Sequence, residues 1–182
     1  WLSKPGENVV MSMVIDPQSY IDIYWLSFLI PLAVFKALQE VVPECQIKIK
    51  WPNDIYVGKQ KLAGILIENV FRGSTIKHTV IGVGIYANQV KFAPMARMPI
   101  SLKQILGQDV DIPKVIALVR KSILAYTVTK DFQLLVHAYN DLLCFKQETI
   151  LIQHQDHAAM PMKILGVNDQ FQLEASEISS GI

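Results

Sequence analysis

The hydrophobic pattern at the start of the chain predicts a strand followed by a buried helix. Residues 8–15 are rich in apolar side chains that favour strands, and they end at Asp16-Pro17, which is typical of a turn. Residues 21–42 are apolar on nearly every face, so we expect a helix that is buried against a sheet. Pro31 lies inside this segment. Because proline lacks a backbone donor and clashes with the preceding turn, it should kink the helix or make it restart.

The middle of the chain alternates short apolar runs with turn residues. This spacing predicts a largely antiparallel meander of four short strands, at 47–51, 54–57, 62–70 and 79–85. A loop without clear periodicity follows at 90–99.

Three helices are predicted next. Ser101 should cap a short helix that Gly107 ends, and Asp111 should cap a longer one with Pro113 in its first turn. Residues from Asp131 to Cys144 should form another helix.

The pattern changes after Phe145 to short strands at 149–152, 160–167 and 171–174. We therefore place a domain boundary there, dividing the chain into residues 1–145 and 146–182. The second part is too small to be stable alone, so it should pack on the first.

Composition and charge narrow the class of protein. The chain has 182 residues, of which 51% are hydrophobic and 18% charged, so it can bury a core and is not globally disordered. Its net charge of +1 gives no support for nucleic-acid binding. Cys45 and Cys144 form no Cys-x-x-Cys pair, which indicates packed thiols in a reducing, cytoplasmic setting.

Two features of the first 35 residues bear on a membrane span and on a signal peptide. The most apolar run, residues 23–35, ends at Lys36 and is shorter than the roughly 20 residues of a membrane span, so we expect a core helix and no membrane. The first residues do not resemble a signal peptide and include no initiator Met, so we expect further sequence upstream of Trp1.

The densest group of chemically active residues is Lys50-Trp-Pro-Asn-Asp54, followed by Lys61-Leu-Ala-Gly-Ile-Leu-Ile-Glu68. Two lysines, an asparagine and an aspartate that converge at one end of a small sheet can hold an anionic nucleotide and a metal ion. A hairpin with solvated ends is the alternative. A tryptophan beside proline, asparagine and aspartate in one turn is unusual for a simple hairpin.

Two further patterns are weak indications of a dinucleotide site and of a metal site. Gly82-Val-Gly84-Ile-Tyr-Ala87 matches a dinucleotide-binding fingerprint, but no helix is predicted after it to hold a pyrophosphate, so we interpret the glycines as room for a ligand against the strand. His154 and His157 offer only two imidazoles in a polar turn, which favours a solvated loop over a metal site.

These segments resemble the biotin protein ligases, also called biotin–[acetyl-CoA-carboxylase] ligases. Residues 50–54, 61–68 and 82–85 match the family's central motifs in order and spacing, and residues 1–8 look like the segment after its Gly/Arg-rich biotin loop. The resemblance extends over essentially the whole chain, more weakly in the last third.

The resemblance implies a fold and a domain organisation. It implies an α+β fold with a mixed, largely antiparallel sheet flanked by helices, as in class II synthetase cores. Residues 1–145 would then be a biotin- and ATP-binding catalytic domain, N-terminally incomplete, and residues 146–182 a small SH3-like β-barrel.

The resemblance also implies an activity. Such a ligase uses ATP and Mg²⁺ to activate biotin as biotinyl-5′-AMP, and then transfers biotin to a specific lysine of a biotin carboxyl-carrier protein. It implies a cytoplasmic enzyme with that carrier domain as partner, allows a homodimer, and involves neither nucleic acid nor membrane.

Matching the motifs position by position assigns roles. The resemblance makes Lys61 and Lys50 catalytic and Asp54 a ligand of Mg²⁺. It places eight residues at the biotin and ATP subsites: Trp1, Trp51, Asn53, Gly64, Ile65, Gly82, Gly84 and Asn88.

Two departures leave alternatives open. Tyr86 stands where the family commonly has an asparagine, and the Gly/Arg-rich loop does not occur in the sequence. A catalytically impaired fragment or pseudoenzyme that binds only nucleotide or carrier protein is therefore the alternative. Lipoate or octanoyl transfer is less favoured, because those families do not show Lys-Trp-Pro-Asn-Asp.

Overall fold

The computed structural model describes residues 3–16, 23–73, 75–93, 98–126, 131–153 and 158–178. Within these ranges the strands are β1 (Val9–Ile15), β2 (Ile47–Lys50), β3 (Asp54–Val57), β4 (Gln60–Arg72), β5 (Thr75–Ile85), β6 (Thr149–Ile152), β7 (Met160–Val167) and β8 (Leu173–Glu177). The helices are α1 (Ile23–Val41), α2 (Leu102–Leu106), α3 (Ile112–Tyr126) and α4 (Phe132–Asp141).

The first five strands form one sheet in the order β1-β5-β4-β3-β2, and every neighbouring pair is antiparallel. The predicted meander from β2 to β5 is confirmed. The prediction of uniformly short strands is wrong for β4 and β5, which have 13 and 11 residues. Their ladder continues to the pair Arg72↔Thr75, because a tight hairpin can extend polar strands beyond the buried part of a sheet.

Helix α1 crosses one face of this sheet. It runs without interruption from Ile23 to Val41, so the prediction that Pro31 makes the helix restart is wrong. By length and composition alone, Tyr24–Val41 could cross a membrane, but 56% of that segment is buried inside the fold. It packs against α3, α4 and β2, as the predicted core helix should.

The predicted caps of α2 and α3 are confirmed, and α4 is capped as well. Ser101 and Gln104 form a capping box on α2, which Gly107 ends at φ 73°. The side chain of Asp111 accepts a hydrogen bond from the backbone of Lys114 in α3, and that of Asp131 one from Leu134 in α4.

Helix α4 ends at Asp141, three residues before the predicted end at Cys144. The next residues extend the outer edge of β2 instead. The Ile49 amide donates to the Leu142 carbonyl at 2.8 Å, and the Cys144 amide donates to the Ile49 carbonyl at 2.8 Å. These bonds satisfy backbone groups that an uncovered edge would leave unpaired.

Strands β6, β7 and β8 form a small antiparallel sheet. In the described part of the chain it has three strands, so the expected SH3-like barrel is not confirmed. Its last strand, Leu173–Glu177, begins later than predicted. The side chain of Asn140 in α4 binds both the amide (2.8 Å) and the carbonyl (2.9 Å) of Val167, which fastens this sheet to the rest of the fold. The boundary near Phe145 stays a prediction.

The two faces of the large sheet differ in exposure. Alternate residues such as Val9, Ile49 and Ile55 are fully buried beneath the helices. On the opposite face Val10 and Val14 are exposed, as is Leu66 of β4. Because strand side chains alternate between faces, Asp54 and Tyr56 belong to this second face too, but they are buried, so the face is exposed mainly along β1 and the outer part of β4. We call it the open face.

Candidate functional site

A single row of paired residues crosses the open face of the sheet. Lys50 pairs with Asp54, Asp54 with Gly64, Gly64 with Gly84, and Gly84 with Val10. Paired positions on neighbouring strands have adjacent side chains. The three motifs that are separate in the sequence therefore meet at one place, which the turn spacing alone could not show.

Lys61 reaches this row because of a register shift between β3 and β4. Asp54 pairs with Gly64, but Tyr56 pairs with Lys61 rather than with the regular partner Leu62. The extra residue turns Lys61 to the face of Asp54. There the ammonium Nζ lies 2.6 Å from Asp54 Oδ1, with the two side chains 25% and 11% exposed.

Gly64 provides the space for this ion pair. A Cβ at Gly64 would lie 2.9 Å from Lys61 Nζ and 3.4 Å from Asp54 Oδ1. A Cβ at Gly82 would meet Leu66 Cβ at an ordinary 3.6 Å. Of these two glycines, therefore, only Gly64 lies where an added methyl would displace the flexible end of the Lys61 side chain.

The Trp51-Pro-Asn53 turn is fastened to β4 by backbone contacts. The Asn53 side-chain amide donates to the Ile65 carbonyl, and the Ile65 amide donates to the Asn53 carbonyl at 2.9 Å. The Ile65 side chain is only 3% exposed in the core, so Ile65 takes part through its backbone. The Lys50 ammonium lies 5.8 Å from the centre of the Tyr56 ring, within the range of a cation–π contact.

Comparisons with known proteins agree with the motifs. Residues 1–85 match the model of the biotin/lipoate A/B protein ligase family. The bifunctional ligase/repressor BirA of Bacillus subtilis is 32% identical over 115 residues, which cover 61% of this chain and 35% of BirA. The biotin–[acetyl-CoA-carboxylase] ligase of Paracoccus denitrificans is 32% identical over 113 residues, 59% of this chain and 47% of that protein.

This chain is therefore similar to biotin ligases over part of its length. It spans between about a third and a half of the length of these two curated relatives. The biotin protein ligase of Aquifex aeolicus, solved in complex with biotin and ATP, has the same fold with a TM-score of 0.80. That likeness, at 24% identity, covers 100% of this chain and 78% of the other.

The segment after Gly84 lacks the helix that a dinucleotide-binding fingerprint requires. Residues 86–93 contain no helix, which agrees with the prediction that no helix follows the two glycines to hold a pyrophosphate. The Asn88 side chain donates to the Val110 carbonyl at 2.9 Å and accepts from the Val110 amide at 2.8 Å. Asn88 thus anchors the loop before α3, and its predicted contact with substrate stays a prediction.

Tyr86 occupies an interior position beside the ion pair. It is 5% exposed, and its ring packs edge-on against Phe92 at 5.0 Å between centroids. Burial and, secondarily, the negative charge of Asp54 raise the pKa of the Tyr86 phenol above its ordinary value. The phenol therefore stays neutral at physiological pH.

The site has few side chains that could bind a metal ion. The described ranges contain no group of three or more His, Cys, Asp or Glu side chains that could hold a metal ion. Asp54 is the predicted ligand, and one of its oxygens already faces Lys61. Trp1, His154 and His157 lie outside the described residues, so the predictions for them stay as they are.

Sequence reasoning missed three residues that support the site. The buried Asn8 side chain accepts from the Ala87 amide at 3.0 Å and thereby ties β1 to the end of β5. Tyr139 and Phe171 contact the Trp51–Asn53 turn from distant parts of the chain. A polar residue at the first position of the predicted strand 8–15 was a weak signal for Asn8, whereas local spacing carries none for Tyr139 or Phe171.

Proposed function

We propose that this chain carries the adenylate-forming site of an ATP-dependent biotin ligase. It would join biotin to AMP and then pass biotin to a lysine of a biotin carboxyl-carrier protein. The observation that carries the proposal is the position of Lys61, whose ammonium is held over Gly64 where the three family motifs meet. The complex of the Aquifex aeolicus relative with biotin and ATP supports this choice of substrates.

The chemistry explains why a lysine is needed there. A carboxylate oxygen of biotin attacks the α-phosphorus of ATP, the bond from that phosphorus to the bridging oxygen breaks, and pyrophosphate leaves. Two anions must approach each other, so a fixed cation between them lowers the barrier. Lys61 is three-quarters buried, where solvent screens its charge less than at the surface. Lys50, in the same row, supplies a second cation for the phosphates.

Asp54 keeps the Lys61 ammonium in place through a contact of 2.6 Å. A phosphate or carboxylate that reaches this position would bind the same ammonium, because a lysine has three donors and can contact more than one partner. Gly64 and Gly84 add no side chain to the middle of the row. The substrate can therefore lie directly against the backbone of β4 and β5.

Magnesium would come to this site with ATP. Mg²⁺ commonly keeps several waters and is held by one or two carboxylates together with substrate phosphates. A single carboxylate fits that pattern, and the Asp54 oxygen that does not face Lys61 is the candidate ligand. Bound there, the ion would neutralise phosphate charge.

Gly64→Ala tests whether the space over residue 64 matters. The added methyl would lie 2.9 Å from Lys61 Nζ and would push it away. Because small misplacements of a catalytic group are costly, we expect the rate of biotinyl-5′-AMP formation to fall by about 10–100-fold. Gly82→Ala is the matched comparison. It should lose much less, since its methyl makes only ordinary contact with Leu66. Equal effects of the two substitutions, measured as the rate of adenylate formation, would contradict this role for Gly64.

Transfer of labelled biotin separates a ligase from a binding protein. The complete encoded protein is incubated with ATP, Mg²⁺, labelled biotin and a biotin carboxyl-carrier domain, with a carrier whose acceptor lysine is replaced by arginine as the control. We expect covalent label on the first carrier only. Nucleotide or biotin binding in calorimetry without label on the carrier would favour the binding-only alternative.

A further inference from the structure

Residues outside the large sheet form hydrogen bonds with the segment Lys50–Asp54. The Tyr139 hydroxyl of α4 donates a hydrogen bond to the Pro52 carbonyl at 3.1 Å. The Trp51 indole Nε1 donates to the Phe171 carbonyl at 3.0 Å, in the turn between β7 and β8. The partners of these two hydrogen bonds are separated in the sequence by 87 and by 120 positions.

Phe171 also joins the segment to the core through its ring. The Phe171 ring lies 4.9 Å from Phe28, 5.6 Å from Tyr139 and 6.3 Å from Trp51, measured between centroids. Phe28 and Tyr139 are fully buried, and their rings also contact each other edge-on at 5.3 Å. We call these four side chains the aromatic clamp. Edge-on contacts of this kind hold aromatic rings in defined orientations.

The turn that presents Phe171 is itself specifically built. Asn168 Oδ1 accepts hydrogen bonds from the amides of Gln170 (3.1 Å) and Gln172 (2.9 Å). Phe171 has φ 61°, in the left-handed region that bulky residues rarely adopt. Such a conformation persists only where the surrounding structure imposes it, and it often marks a position with a function.

The segment also borders an empty space. A cavity of about 160 Å³ lies between Pro52, Asn53 and Pro31 of α1, and Phe171 lines it as well. An empty space beside the turn provides few packing contacts to fix it. The turn is therefore held mainly by hydrogen bonds, those between Asn53 and Ile65 of β4 and those with Tyr139 and Phe171.

We propose that Phe171 and Tyr139 are positioning residues that hold the Lys50–Asp54 segment for adenylate formation, which makes the small C-terminal sheet a working part of the site. This inference rests on the proposed function. Neither residue needs to touch substrate, because each acts through Trp51 or Pro52. Loss of these contacts should displace the Lys50 ammonium and the Asp54 carboxylate, which orients Lys61.

Two substitutions test the clamp at different strengths. Tyr139→Phe removes only the hydroxyl, and we expect adenylate formation to fall by about fivefold, as for one lost hydrogen bond. Phe171→Ala removes the ring, and we expect a fall of roughly 10–100-fold from misplacement. Ile164→Val is the control, because Ile164 is buried in the same small sheet but belongs to neither the clamp nor the site.

Two measurements distinguish positioning from a general loss of stability. The first compares biotin-dependent exchange of pyrophosphate into ATP with transfer from supplied biotinyl-5′-AMP to a carrier domain. The exchange should fall more than the transfer, because only the exchange must also bind the β- and γ-phosphates. The second is hydrogen–deuterium exchange of residues 50–54, which should become faster in both clamp variants and stay unchanged in Ile164→Val.

The outcomes are separable. If the unaltered protein catalyses exchange and folded clamp variants match it, the clamp proposal is overturned and the proposed function stands. Equal losses in both half-reactions, or in Ile164→Val as well, would also overturn the clamp. An unaltered protein without pyrophosphate exchange would overturn the proposed function and, with it, this inference.

Discussion

Lys61→Ala should lower the rate of biotinyl-5′-AMP formation by roughly 10²–10³, the usual cost of losing one preorganised group that stabilises a developing charge. The lost ammonium is the one held 2.6 Å from Asp54 in the middle of the open face. Because the cation acts mainly where the two anions meet, the loss should fall on kcat more than on the KM for biotin. Single-turnover formation of the adenylate is the direct measurement.

Two further lysine variants serve as references for this prediction. Lys50→Ala should lower the rate less than Lys61→Ala, because Lys50 stands at the edge of the row of paired residues. Lys59→Ala, in the exposed turn before β4, should leave the rate nearly unchanged. A Lys61→Ala protein that forms the adenylate at the parental rate would contradict the assignment.

Phe28→Ala should have the largest effect on stability. Phe28 is fully buried and contacts Phe132, Tyr139 and Phe171 edge-on, at 5.6, 5.3 and 4.9 Å between centroids. Removing such a ring typically costs about 3–5 kcal/mol, a large share of the roughly 5–15 kcal/mol that stabilises a domain. The free energy of unfolding in urea measures this effect.

The control for Phe28 is an apolar residue on the open face. Val14 is 66% exposed, so Val14→Ala should change the free energy of unfolding by no more than about 0.5 kcal/mol. A loss below about 1 kcal/mol in Phe28→Ala would mean that the interface between α1, α4 and the small sheet is not a stabilising core.

The parts of the fold that local rules determine were predictable. Ser101 and Asp111 were predicted as helix caps, and the side chain of each accepts a backbone hydrogen bond from the helix that follows. The motifs at 50–54 and 61–68 also indicated where chemistry would concentrate, because their residue types suit phosphate and carboxylate ligands. Helix starts and charged turns depend on neighbouring residues alone.

The remaining features depend on contacts between distant residues. Nothing in the local pattern shows that a shift of one residue in β4 places Lys61, rather than Leu62, opposite Tyr56. The end of α4 was misjudged because residues 142–144 pair with Ile49, more than 90 positions earlier. For the same reason the clamp through Phe171 became visible only in three dimensions.

Biotin-dependent exchange of labelled pyrophosphate into ATP tests the central claim most directly. The claim is that Lys61, Asp54 and the glycines of the open face form a site where a carboxylate attacks the α-phosphorus of ATP. The complete encoded protein should exchange label into ATP when biotin and Mg²⁺ are present and should not do so without biotin, and lipoate should not replace biotin. Absence of exchange in a folded protein that still binds biotin and ATP, or exchange that proceeds equally well without biotin, would contradict it.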